Sequence, residues 1–209
     1  MPSVGQRLPL TRRGPRVPTS VQSSTTSARA IDGPVVLVGQ EITSPDGDLV
    51  ALFVERVIPP GLRAMDAAAA VREQGGLVGL PHPFDRLRAS GGSRAGRAEE
   101  VLEQMAGTVD YVETHNARAY GDANPKAAAF AETHGLPGVA VADAHSLREL
   151  GVAGTYLPGD FSSASELLTL LPHAELVAGR APYYVRLWTP LARVINKVQG
   201  KGRIRPAAQ

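Results

Sequence analysis

The chain of 209 residues contains no cysteine. That excludes disulfides, thiolate zinc sites, iron–sulfur clusters and thiol nucleophiles, and leaves histidine and carboxylates as the strong metal ligands. Aromatic residues make up only 5%, too few to supply the stacking platforms on which single-stranded nucleic acids bind. Long apolar runs are missing as well. Runs such as Val35–Val38, Leu49–Val54 and Ala67–Val71 fall far short of the roughly 20 residues needed to cross a bilayer. Acidic residues are absent before Asp32 and after Glu175, so all 20 carboxylates fall between these positions, against 10 of the 22 basic residues. The remaining 12 are the five arginines before Asp32 and the seven Lys or Arg from Arg180 onward. A net charge of +2 thus conceals a body that repels phosphate backbones and suits the gathering of divalent cations.

Composition divides the chain into three parts. Residues 1–30 are rich in Pro, Ser, Thr and Arg and carry neither a helical nor a strand period, which predicts a disordered leader. Their prolines spoil an amphipathic transit helix and no apolar core of a secretion signal is present, so a cytoplasmic protein is expected. Residues 31–178 form the folded body. In 179–209, Val185, Trp188, Leu191, Ile195 and Val198 recur at spacings of three and four among basic residues, which predicts a basic amphipathic helix and tail.

Within the body, short apolar runs alternate with helical stretches. Val35–Ile42 and Leu49–Glu55 read as strands joined through Ser44-Pro45-Asp46-Gly47, a hairpin. Asp66 is expected to cap a helix that runs to Gln74 and stops at Gly75-Gly76. Strands follow at Leu77–Leu80, Val109–Glu113, Gly138–Ala142 and Ala153–Leu157, with helices at Arg97–Met105, Pro125–His134 and Ser162–Leu171 and a short turn at Ser146–Leu150. A flexible loop is expected at Arg88–Gly96. Such βα alternation predicts an α/β fold with a parallel or barrel-like sheet.

In a sheet of this kind, functional side chains collect where the strands end. The residues at those ends are Glu41, His82, Glu113 to Asn116, and Asp143 with His145, a repeated recurrence of carboxylate and imidazole. Asp143 and His145 stand two apart, so on an extended segment both project to one side and can approach one ion. Mixed oxygen and nitrogen donors of this kind suit Mn, Fe or Zn better than calcium. A carboxylate such as Glu41 can bridge two ions about 3.5–4 Å apart, the spacing of two-metal hydrolysis. His134 and His173 fall at helix ends outside the pattern and are expected to be structural.

The runs VVLVGQEITSPDGDLVALFVE, REQGGLVGLPHPFDRLR, VDYVETHNARAY and GLPGVAVADAHSLRELGVAGTYL supply, in order, a Gly-x-Glu element, a His-Pro element, a Glu-x-x-Asn segment and an Asp-Ala-His element. In that order they resemble the later part of the PHP-domain (polymerase and histidinol phosphatase) metal-dependent phosphoesterases, over about Val35 to Leu157. The resemblance implies an incomplete distorted (β/α)7-type barrel whose metal ligands are Glu41, His82, Asp143 and His145, with Glu41 and Asp143 taking part in catalysis. His115, Asn116 and Arg118 would line the substrate pocket, and Arg86 and Arg88 are further candidates for a phosphate.

The same resemblance implies a His-x-His and a Thr-Asp-His motif ahead of the Gly-x-Glu element. No histidine precedes Val35, so the N-terminal strands are expected to be missing, through a truncated or frame-shifted start. The expected function is metal-dependent hydrolysis of a phosphoester, with Mn, Zn or Fe as cofactor and a nucleotide or other small phosphorylated compound as substrate. Nucleic acid enters only as a possible substrate, no membrane partner is expected, and the oligomeric state is left open. The alternative is a catalytically inactive remnant or binding module. A nucleic-acid binder driven by the basic tails ranks behind both, because no aromatic residues interleave with the basic ones.

Overall fold

The computed structural model describes residues 37–85 and 95–181, with side chains from Glu100 onward in the helix that begins at Ala95. The leader at 1–30, the start of the first expected strand, residues 86–94 with Arg86 and Arg88, and the basic helix and tail from residue 182 lie outside the described residues. The chain divides into two compact units, Met1–Val38 and Gly39–Gln209. Of the first, Leu37 and Val38 are described and form no regular element.

The second unit opens with the expected hairpin: β1 (Gly39–Ser44) pairs antiparallel with β2 (Gly47–Leu52) across the two-residue turn Pro45-Asp46. The Ser44 hydroxyl closes the turn, donating to the Gly47 carbonyl at 2.6 Å and accepting from the Asp46 N–H at 3.1 Å. Asp46 in turn accepts from the Ala64 N–H at 2.9 Å, the first residue of α1 (Ala64–Arg72), and from Arg63 Nε at 2.9 Å. Asp66 is therefore not the cap that the sequence predicts. It sits inside the first turn, where its charge still complements the helix dipole, and the orphan N–H is satisfied from the hairpin instead. Gly75 ends the segment at φ 74°, a left-handed position that glycine occupies without penalty.

β3 (Leu77–Leu80) is buried along its whole length and pairs antiparallel with β2. A strand covered on both faces needs an uninterrupted apolar run, which Leu-Val-Gly-Leu provides. Helix α2 (Ala95–Ala106) leads to β4 (Tyr111–Asn116), and α3 (Ala123–His134), closed by Gly135 at φ 62°, leads to β5 (Gly138–Val141). β3, β4 and β5 are parallel, completing a five-stranded sheet in the order β1-β2-β3-β4-β5.

The register sorts the side chains onto two faces. One carries Ile42, Leu49, Ala51, Val78, Leu80 and Val112, packed against Ala64, Ala67, Ala68 and Val71 of α1, Met105 of α2 and Phe130 of α3. The other carries Leu77, Tyr111 and Val139, which meet Leu167 of α4 (Ala164–Leu170) and Leu171. Helix α4 begins with a capping box in which Ser163 Oγ accepts from the Glu166 N–H at 3.2 Å, while the Glu166 carboxylate reaches back to the Ser162 N–H at 2.6 Å.

The sequence predicts a parallel or barrel-like sheet, and here the structure differs. Among the described residues the main sheet is open and mixed, not a closed (β/α)7 barrel. β6 (Gly154–Tyr156) pairs antiparallel with β7 (Glu175–Val177) in a separate two-stranded sheet. The reason lies in one side chain. Thr155 Oγ1 accepts from the Ala140 N–H at 2.8 Å and donates to the Ala140 carbonyl at 3.0 Å, so a hydroxyl takes the place that a neighbouring strand's backbone would occupy on β5. No described helix is long and apolar enough to cross a membrane.

Thr155→Val keeps the shape and removes both bonds to the buried Ala140 backbone. It is expected to lower stability by about 1–3 kcal/mol, measured by urea unfolding; an unchanged midpoint would show that the hydroxyl does not hold the edge of β5.

Candidate metal centre

β1 and β3 run antiparallel to β2, and β4 and β5 run parallel to β3, so four strands end at one rim and β2 begins there. Val50 stands opposite both Glu41 and Gly79. Asp48, two residues nearer the start of β2, therefore lies on the same face as Glu41 and toward the rim at which His82 follows β3. One ligand atom from each of Glu41, Asp48 and His82 falls within 4.8 Å of the others, and His82 Nε2 is 3.8 Å from Glu41 Oε1. The Glu41 side chain is 62% exposed and that of His82 9%, so the group is buried on the protein side and open on the other.

His82 takes up φ 31° and Asp143 φ 49°, two of the three non-glycine residues with positive φ among those described. Such conformations cost roughly 1–3 kcal/mol each and persist where surroundings over-determine them. The surroundings are a continuous set of hydrogen bonds along the rim. The His82 N–H donates to Glu113 Oε2 at 3.1 Å, and Asn116 Nδ2 donates to the same oxygen at 3.1 Å and to Asp143 Oδ2 at 3.2 Å. A register shift between Glu113 and His115 makes this possible, because the extra residue brings Glu113 and Asn116, three apart, to one side. Burial pushes the Glu113 carboxyl above its usual range; the Asn116 hydrogen bond, the His82 charge and the His82 N–H oppose the rise, and the Asp143 charge adds to it.

Asp143 and His145 lie outside the group of Glu41, Asp48 and His82 and reach it through Glu113 and Asn116. His145 Nδ1 is 2.8 Å from the Asp143 carbonyl. A carbonyl only accepts, so Nδ1 carries a proton, and in the neutral form of the ring the lone pair lies at Nε2. Of the four ligands expected from the sequence, the structure places Glu41 and His82 in a three-donor group with Asp48, and Asp143 and His145 as a separate pair.

The three residues expected to line a substrate pocket are engaged within the protein. Asn116 is buried and orients two carboxylates. His115 Nε2 donates to the Gly179 carbonyl at 2.7 Å and Nδ1 accepts from Asn124 Nδ2 at 3.2 Å, so both ring nitrogens are occupied. Arg118 is buried, and its Nη1 lies 2.7 Å from Oε1 of Glu149, which is fully buried.

Asp48 and Glu149 escaped the sequence reading. Asp48 is at the start of a strand, not its end, and the hairpin pattern was the signal that β2 runs backward and presents its first residues to the rim. Glu149 sits in the 3-10 turn Leu147–Glu149, where nothing in the sequence distinguishes it from a solvated residue.

Burial raises the Glu149 carboxyl, but hydrogen bonds from the Ser146 hydroxyl and the His145 N–H and the charges of Arg118 and His145 outweigh it and hold the group below its usual range. A carboxyl depressed on folding contributes stability that is present above its unfolded-state pKa and is lost as pH falls through the lower folded-state value. Acid unfolding of the native chain should thus include a component below about pH 4 that is missing in Glu149→Gln. Superimposable acid limbs for the two proteins would contradict this.

Comparison with known proteins follows the same lines. The PHP-associated family model matches residues 121–175, the segment that carries α3, β5, Asp143, His145 and Glu149. The uncharacterized protein MJ0417 of Methanocaldococcus jannaschii is 35% identical over 116 residues, covering 55% of this chain and 48% of that protein. A second protein of the same organism, MJ1587, is 36% identical over 62 residues, covering 30% of this chain and 36% of the relative. The chain thus spans about half or less of these relatives. Among solved structures, it is similar to a two-domain protein from Bacteroides vulgatus containing a predicted PHP-like metal-dependent phosphoesterase (TM-score 0.56, 17% identity, 77% of this chain and 49% of that one). It is also similar to PsfC from Pseudomonas syringae (TM-score 0.50, 16% identity, 77% and 65%). At such identities the two structures show a shared fold. The chain thus shares a PHP-associated segment at residues 121–175 and an α/β fold with a protein that contains a predicted PHP-like metal-dependent phosphoesterase.

Proposed function

We propose that the rim is a divalent-metal site for phosphoester hydrolysis, in which Glu41, Asp48 and His82 hold one cation and Asp143 and His145 contribute to the same site. The convergence of two carboxylates and an imidazole within 4.8 Å carries the reading. Two hard oxygens and one borderline nitrogen match manganese, zinc or ferrous iron, and donor atoms this close come within bonding distance of a single ion through small rotamer changes. A cation bound there lowers the pKa of water and neutralises charge on phosphoryl oxygens.

The chain's own residues do the rest. His82, 9% exposed and held by its N–H on Glu113, offers a preorganised imidazole. Glu41, 62% exposed, faces the side from which a second ion or a substrate would approach, which supports its proposed part in catalysis. Asn116 fixes Asp143 in place, and the Asp143 carbonyl sets the His145 tautomer that leaves Nε2 free to ligate. The acidic body attracts divalent cations. A small phosphorylated compound, such as a nucleotide, is the substrate class proposed.

The test is metal content and Mn2+ titration of the purified chain, together with Mn2+-dependent hydrolysis of p-nitrophenyl phosphate. His82→Ala and Asp48→Asn are each expected to weaken Mn2+ binding more than about 100-fold, since loss of a supporting residue alone costs about 10–100-fold. His173→Ala, remote from the rim, should leave binding unchanged. Native protein that binds none of Mn2+, Zn2+ or Fe2+, or a His82→Ala variant that binds them as the native chain does, would overturn the proposal and leave the inactive binding module as the better reading.

A further inference from the structure

The buried pair Arg118–Glu149 is not among the proposed ligands but borders one of them, His145. Glu149 is fully buried and receives three hydrogen bonds: from Arg118 Nη1 at 2.7 Å, from the His145 N–H at 3.0 Å and from the Ser146 hydroxyl at 2.9 Å. Arg118 is itself anchored at the rim, its N–H donating to Asn116 Oδ1 at 2.9 Å, and Asn116 holds the Asp143 carboxylate from the other side. The loop bearing Asp143 and His145 is therefore gripped at both ends, by Asn116 at Asp143 and by Glu149 at His145.

We infer that Glu149, with Arg118 as its counter-ion, is a positioning residue that sets the Asp143–His145 loop in its ligating geometry; the inference rests on the metal-site reading above. Two physical points favour positioning over simple stability. A buried ion pair is a poor stabiliser, and apolar residues of similar volume usually do as well or better, so its place in the core calls for another use. In addition, Asp143 at φ 49° is a strained backbone that relaxes unless held, and Glu149 is the group that fixes the backbone two residues further on.

In Glu149→Gln one oxygen becomes an NH2 that cannot accept, so either Arg118 or the His145 and Ser146 donors lose their partner. The second variant, Arg118→Met with Glu149→Leu, removes both charges at once, keeps the volume, and is expected to melt near the native temperature. Two readouts on the full-length chain decide the matter: Mn2+ titration followed by NMR at the His145 and His82 imidazoles, and amide hydrogen exchange. Both variants should weaken Mn2+ binding read at His145 by about 10–100-fold, with a smaller change at His82. The His145 amide should lose protection at least about 10-fold while Val139–Val141 keep theirs.

Native Mn2+ affinity at His145 in the double variant would overturn the inference and reduce the pair to a structural one. If the native chain binds none of Mn2+, Zn2+ or Fe2+, the metal-site reading fails by itself. Exchange then decides the positioning role: a His145 amide equally protected in native and variant proteins ends it.

Discussion

The Glu113 carboxylate is the joint on which the rim depends. A carboxylate turned inward from the middle of a strand must have its lone pairs satisfied, and one oxygen of Glu113 receives both the His82 N–H and the Asn116 amide. This ties the turn after β3 to the end of β4, and through Asn116 to the loop after β5. Backbones at His82 and Asp143 that would otherwise relax are held at positive φ. The side chains proposed to meet a cation come together because neutral donors and carboxylates already bond one another beneath them.

Much of this was legible in the sequence, for a reason that can be stated residue by residue. The hairpin was visible because Ser-Pro-Asp-Gly admits a tight turn between two apolar runs. The strand Leu77–Leu80 was visible because a wholly buried strand leaves an unbroken apolar signature, and the ends of α1 and α3 because glycine takes left-handed backbone readily. Glu41, His82, Asp143 and His145 emerged as a set because they were read as strand ends; His82 and the Asp143–His145 pair do follow β3 and β5, whereas Glu41 lies inside β1 (Gly39–Ser44), opposite Val50.

What was hidden depends on partners remote in the chain. The cap of α1 comes from Asp46, 18 residues upstream, so the nearest suitable residue, Asp66, was the natural but mistaken choice. Asp48 was hidden by the direction of its strand. The bond of Arg118 to Glu149 was hidden because its partner lies 31 residues away in sequence though 2.7 Å away in space. The open sheet was hidden most deeply: βα alternation continues past β5, yet the Thr155 hydroxyl stands in for a strand. Periodicity cannot distinguish a strand that joins a sheet from one that turns aside.

The central claim is spatial, that Glu41, Asp48 and His82 close on one divalent cation. Crystals grown with Mn2+ and measured at the manganese absorption edge test it most directly. The account predicts an anomalous peak within bonding distance of a Glu41 oxygen, an Asp48 oxygen and His82 Nε2. Manganese found elsewhere in the crystal, with no peak among these three side chains, would contradict it.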